Sequence, residues 1–287
     1  MKVYLAGEQF EGVKDRVKRR LFSYWYNKGD ASAVKEAKEN GTSDCFLDSG
    51  AFTAFTQKAE IDPGVYAKYI RENHALFTVC SSLDAIGDPQ QSYDYLKQLE
   101  ALGCVVSPVF HAREDIKWLK KYIDEGYEYI FLGGMVPETT GWLREWLDGL
   151  FDKYLTNADG TARVKLHGFG LTDQQLMFRY PWHSVDSTSW LFTGAFGGCL
   201  FYRDGAAKKV VFSYDSPSAK KLNAPHYSNL SSIEQLQVDK WLAEMGVTAQ
   251  QCAEHYSFRN IINADSFQRM EKYGTETFKK KQVTLFT

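Results

Sequence analysis

Carboxylates, histidines and glycines recur where short apolar runs end. Asp48-Ser49-Gly50-Ala51-Phe52 follows one run, Ser81-Ser82-Leu83-Asp84 another, and Phe110-His111 ends a third. Gly133-Gly134-Met135, His167-Gly168-Phe169-Gly170 and Asp186-Ser187-Thr188-Ser189-Trp190 close three more. Two carboxylates facing one pocket fit substitution at an acetal-like carbon: one attacks or stabilises the cation, and the other moves a proton. Glycine-rich loops let backbone N–H groups approach a planar ligand closely. Phe52 on one side and His167 or Phe169 on the other supply rings for a flat ligand, and stacking on a base contributes roughly 1–3 kcal/mol. Taken singly, an Asp after a strand is a helix cap and a Gly pair is a turn. The convergence of the set is what points to chemistry, and residue types alone stop at glycoside or N-glycoside reactions on a ring.

That convergence needs a scaffold. The apolar runs are Val3–Ala6, Cys45–Leu47, Phe77–Cys80, Val105–Phe110, Tyr129–Leu132, Val164–Leu166 and His183–Val185. Between them lie amphipathic stretches such as Val65–His74, Ser92–Ala101, Asp115–Ile123, Trp142–Tyr154 and Gln174–Tyr180. Strand-then-helix repetition predicts parallel βαβ units. With Lys209–Tyr214 as an eighth strand, the expected fold is α/β, a (β/α)8 TIM-type barrel whose C-terminal strand ends share one face. An open doubly wound sheet is the alternative, but the first turn reads AGEQFEGV and lacks the glycine fingerprint of that class. The expected organisation is a single domain over residues 1–287, with a barrel core over about 1–215 and a helical C-terminal extension over about 231–287.

Bulk properties narrow the function classes. The formal charge is -2, so no global basic field marks a nucleic-acid-binding domain. Local basic clusters stand at Lys14–Arg20, Lys208-Lys209, Lys220-Lys221 and Lys279–Lys281, and such runs are more often solvated surface than phosphate contacts. The five cysteines never lie closer than 24 residues apart, which argues against a zinc knuckle and for reduced, buried thiols. No signal-like apolar stretch opens the chain and no run spans a bilayer, so a cytoplasmic protein without a membrane partner is expected.

Four motifs then fall in a familiar order. LDSGAF (Leu47–Phe52) resembles the DSGG-aromatic motif of tRNA-guanine transglycosylases, and LGGM (Leu132–Met135) is similar to their substrate loop. HGFGLTD (His167–Asp173) resembles their glycine-rich segment, and SVDSTSW (Ser184–Trp190) sits where that family carries its nucleophile. The resemblance implies Asp186 as the nucleophile that holds a covalent glycosyl intermediate, and Asp48 as the carboxylate that handles protons. It implies Asp84 as the acid reading a guanine-like edge, and Ser49, Gly50, Gly133, Gly134, Met135 and Gly168 as substrate contacts. Phe52 and His167 would take the stacking positions, and His111 would fall near a base-recognising position. The family's CxCxxC zinc segment is absent here, so no metal and no cofactor is expected. Compact zinc-less chains of this kind resemble the phage and bacterial members that act on DNA. The implied reaction is exchange of guanine in DNA for a 7-deazaguanine such as 7-cyano-7-deazaguanine; a tRNA substrate, or N-glycoside hydrolysis on the same barrel, is the alternative. A target base in duplex DNA would have to be flipped out.

Overall fold

The computed structural model describes residues 1–7, 13, 16–136, 138–221 and 225–284, with side chains up to residue 277. The Lys14 end of the first basic cluster and the Lys279–Lys281 side chains lie outside the described residues. The chain divides into two compact units, one of residues 1–6, 18–187 and 275–287, the other of residues 7–17 and 188–274.

The first unit is a parallel α/β barrel. Its strands are β1 (Lys2–Ala6), β2 (Arg19–Ser23), β3 (Asp44–Asp48), β4 (Val79–Cys80), β5 (Val109–His111), β6 (Tyr129–Gly133), β7 (Lys165–Gly168) and β8 (Ser184–Ser187). They form one sheet in the order β4-β3-β2-β1-β8-β7-β6-β5. At the seam, Ser82 N donates to Ser107 O at 2.8 Å and Ser107 N to Cys80 O at 3.0 Å, so β4 meets the segment leading into β5. Helices that include Ser32–Glu39, Pro63–Asn73, Pro89–Ala101, Lys117–Asp124 and Thr140–Leu150 connect the strands. Asp62, Asp88 and Thr139 cap three of them by accepting backbone N–H groups of the first turn.

The eighth strand differs from expectation. It is β2, between the first two predicted strands, whereas Lys209–Tyr214 overlaps a hairpin strand in the second unit. Only Leu21 and Phe22 are apolar in RRLFS, too short a run to show periodicity. The two arginines of this strand are not a solvated basic patch. Arg20 is 8% exposed with its guanidinium 4.7 Å from the Phe22 ring centre, and Arg19 Nε lies 3.6 Å from Asp44 Oδ2.

Strand periodicity places the inward residues in layers, because side chains alternate faces with period two. Tyr4, Phe46, Val109 and Phe131 fill the middle of the barrel, and Phe46 meets Tyr4 at 5.4 Å and Phe131 at 5.0 Å between ring centres. Burying each such aromatic side chain contributes about 1.5–3 kcal/mol. Two residues before Phe46, Asp44 accepts from Lys2 Nζ at 2.7 Å and Tyr4 Oη at 2.8 Å. Burial alone would raise its pKa, but these hydrogen bonds outweigh it and hold the carboxyl below its ordinary range. Two residues after Phe46 the same face brings Asp48 to the C-terminal mouth.

The second unit holds an antiparallel hairpin of β9 (Gly198–Arg203) and β10 (Ala206–Val211), joined by Asp204-Gly205 with both residues at positive φ. A two-residue Asp-Gly turn of that hand matches the natural twist of a hairpin. Helices Ser232–Ala243 and Ala249–Glu254 open with capping boxes, Ser231 with Glu234 and Thr248 with Gln251. The last helix, Tyr256–Thr284, is separated from Ala249–Glu254 at His255, so the expected helical extension is broken there. Asn263 on it accepts from Leu200 N at 2.7 Å and donates to Trp190 O at 2.9 Å. Asn263→Ala removes both contacts and takes the acceptor from the part-buried Leu200 N–H. Its expected cost is about 1–3 kcal/mol, read as a lower urea midpoint with an unchanged slope.

Candidate active site

The C-terminal mouth of the barrel holds a cleft of about 650 Å³ lined by, among others, Asp48, Phe52, Asp84, His111, Gly134 and Phe169. Each lining carboxylate or imidazole arrives there for a local reason. Asp48 ends β3 on the inward face, and Gly50, at φ 77°, turns the chain and donates its N–H to Asp48 Oδ2 at 3.1 Å. A side chain at Gly50 would run into Trp25 and Ser23, so both conformation and space require glycine. Ser49 lies behind the wall, fully buried: its N–H donates to Ser81 Oγ at 2.9 Å and its hydroxyl to Asp84 Oδ1 at 3.3 Å.

Asp84 and His111 form the polar side of the cleft. His111 Nε2 is 2.9 Å from Asp84 Oδ2, and Nδ1 is 3.1 Å from Glu114 Oε1, while the other Glu114 oxygen accepts the His111 N–H. Burial opposes a charge on this imidazole, but the two carboxylate hydrogen bonds prevail and push it up to about 10. It is therefore an imidazolium at neutral pH. Each Asp84 oxygen has one protein partner in these contacts and keeps a further lone pair for a donor on a ligand. Glu114 has no place among the residues expected from sequence. Its only signal is its position three residues after His111, the spacing at which one side chain can turn back onto another.

Asp48 has the opposite electrostatics. Burial, followed by repulsion from Asp84 and Asp186, pushes its carboxyl up to about 8, against weaker support from the Gly50 and Ser49 N–H groups. At neutral pH it is a protonated acid that opens on the cleft. Asp186, the residue before the end of β8, is on the inward face and is 7% exposed. Its Oδ1 accepts from Gly170 N at 2.7 Å and faces His167 Nε2 at 3.3 Å. Asp186 thus sits directly behind the cleft lining to which Gly170 belongs.

The structure brings together Asp48, Gly50, Phe52, Asp84, His111, Gly133 and Gly134 as cleft residues, with Asp186 and Ser49 immediately behind them. Three expected contacts are corrected. His167 cannot stack on a ligand: it pairs in register with Ser184, one interior layer below Asp186, and is fully buried against Phe46, Phe131 and Phe169. Gly168 pairs with Val185 on the opposite strand face and packs on Leu171 and Trp182. Met135 is 2% exposed and does not line the cleft. Phe169, two residues after His167 on the inward face, lines the cleft instead, and Phe52 stands at its rim, 58% exposed.

Gly133 occupies the inward top position of β6, where a Cβ would lie 2.7 Å from His111 Cδ2 and 3.1 Å from Nε2. Gly133→Ala should therefore force His111 off Asp84. The expected result is an imidazole that titrates below about 10, followed by NMR; an unmoved titration would show that the ring had another way to yield. Among the described residues, no group of three or more His, Cys, Asp or Glu side chains is arranged to hold a metal ion. Nor is any helix long and apolar enough to cross a membrane.

Fold and site together define a parallel α/β barrel with an acid cluster at its C-terminal mouth, one member protonated and another paired to an imidazolium. No protein-family model matches the chain, and no curated protein matches it either.

Proposed function

We propose that this barrel is a base-exchanging transglycosylase that replaces guanine in DNA with a 7-deazaguanine such as 7-cyano-7-deazaguanine. The observation that carries the reading is that two carboxyl groups in different surroundings, Asp48 held protonated and Asp186 held by donors, stand at one mouth. Different environments for two carboxyl groups are how a site runs acid and nucleophile chemistry at one pH. In the proposed reaction, Asp186 attacks C1′ of the flipped nucleoside while Asp48 gives its proton to the departing guanine. The covalent sugar–Asp186 ester is then broken by the nitrogen of the incoming deazaguanine, whose proton passes back to Asp48. Asp84 accepts from the donor edge of either base, and Phe52 and Phe169 offer aromatic surface to its ring.

The net-negative mouth suits a neutral base with a donor edge and leaves the phosphates outside it. Within the basic clusters, Lys208 already pairs with Glu234 at 3.0 Å, while Lys209, Lys220 and Lys221 are exposed. The test is incubation of the purified protein with guanine-containing DNA, or separately tRNA, plus 7-cyano-7-deazaguanine, followed by nucleoside mass analysis. Modified deoxynucleoside is expected. Modified tRNA alone would assign the RNA substrate, and an abasic product without a base requirement would make the protein a hydrolase.

A further inference from the structure

A chain of hydrogen bonds runs through the barrel interior to Asp186. The Tyr129 hydroxyl lies 2.5 Å from Ser184 Oγ, Ser184 Oγ lies 2.6 Å from His167 Nδ1, and His167 Nε2 faces Asp186 Oδ1 at 3.3 Å. The members come from three neighbouring strands, β6, β7 and β8, and their alignment follows from register, since His167 pairs with Ser184 and Tyr129 with Lys165, two residues earlier on β7. Ser184 and His167 are fully buried. At the far end, Tyr129 lines a separate cavity of about 830 Å³ near the N-terminal strand ends.

Either hydroxyl can donate in the Tyr129–Ser184 contact, so the direction is set from the other end of the chain. As a nucleophile Asp186 is a carboxylate, which only accepts, so Nε2 of His167 carries the proton that meets Oδ1. In a neutral imidazole Nδ1 then accepts the Ser184 proton, and the Ser184 oxygen is left to accept from Tyr129. The opposite tautomer would set a nitrogen lone pair against an oxygen lone pair. Burial also disfavours the imidazolium, against the pull of Asp186.

We propose that Tyr129, Ser184 and His167 are positioning residues that lock the imidazole in its Nε2–H form and thereby orient the nucleophile. His167 and the Gly170 N–H both address Oδ1 of Asp186, and no hydrogen bond occupies Oδ2 among the described residues. Oδ2 is left as the oxygen that attacks. A carboxylate held by two donors on one oxygen loses little freedom at the moment of reaction, which is where preorganisation lowers a barrier. A side chain that fixes a neighbour's tautomer can govern rate without touching substrate. The inference rests on Asp186 being the nucleophile of the proposed exchange.

Two measurements test it separately from that reading. Nitrogen NMR of the histidine-labelled full chain, with the His167 signal assigned by its loss in His167→Gln, is expected to show a neutral Nε2–H ring. A doubly protonated ring or an Nδ1–H ring would overturn the proposal whether or not exchange occurs. In the exchange assay, Tyr129→Phe and Ser184→Ala are expected to lower kcat about ten- to hundredfold while KM for the base changes little, since neither residue lines the cleft. Unchanged kcat in both variants would equally overturn it. If wild-type protein exchanges no base, the proposed function fails, and the NMR result alone decides whether the hydrogen-bond chain is polarised as described.

Discussion

Asp186→Asn is expected to lower base exchange by at least about a thousandfold while leaving the barrel folded. The asparagine oxygen can still accept from Gly170 N and face His167, so the two contacts that hold the residue survive. What is lost is the negative charge on the free oxygen, and with it the covalent sugar ester. The check has two parts. Denaturing gel analysis of wild-type protein with DNA and no incoming base should reveal a trapped protein–DNA adduct, and Asp186→Asn should show none. Retention of exchange, or of the adduct, in the variant would assign the nucleophile elsewhere, with Asp48 the remaining carboxylate on the same face.

Asp48→Asn is expected to separate activity from stability. As a proton donor, Asp48 is expected to contribute about a hundred- to ten-thousandfold to the rate, and asparagine cannot replace it. The folded protein should nevertheless gain stability. The native carboxyl is held at about 8 by burial and by Asp84 and Asp186, whereas in an unfolded chain it ionises near the ordinary value of about 3.9. Between those two values the native state keeps a proton that the unfolded state releases. Stability therefore falls as pH rises through this window, by up to about 1.4 kcal/mol per pH unit, and levels off above it. Asp48→Asn removes that slope, so at pH 8 the variant should be more stable than the wild type by a few kcal/mol. Chemical denaturation of both proteins at pH 5 and pH 8 checks this: the gap should be small at the lower pH and wide at the higher one. Equal gaps would mean that Asp48 is ionised in the native protein. Activity of the wild type should fall over the same rise toward and beyond pH 8, as the proton donor is lost.

His111 carries the opposite sign. Its native value of about 10 lies above the unfolded one of about 6.5, so its pairing with Asp84 and Glu114 stabilises fully below about 6.5. That contribution fades as pH climbs through 10. The mouth thus combines a pairing that favours the fold with a forced proton on Asp48 that opposes it. Destabilised groups of this kind are commonly found where a site must react.

Much of this was legible in the chain itself. Strand-ending positions are visible because a polar residue that follows an apolar run stands at a strand's mouth, and alternation sets its face. Asp48, two residues beyond Phe46, and Asp186, two beyond Ser184, are inward by that rule alone, given the barrel. The same rule, applied one step further, separates Phe169 from Gly168 and puts only the former in the cleft. Segments with short apolar runs defeat it. Arg19–Ser23 carries two arginines, and its place in the sheet depends on Phe22, Asp44 and neighbouring strands that local sequence does not reveal.

By itself, then, the order of residues determined the barrel class, the face on which the acids gather, and the glycines that leave room beside them. These depend on periodicity and backbone sterics, which are local. The tertiary structure alone decided which acid keeps its proton, that His111 is charged between Asp84 and Glu114, and that His167 supports Asp186 from below instead of meeting a ligand. Protonation and depth are set by burial and by charges from distant strands, and a one-layer shift in register separates a ring that lines the cleft from one that is buried beneath it against Asp186.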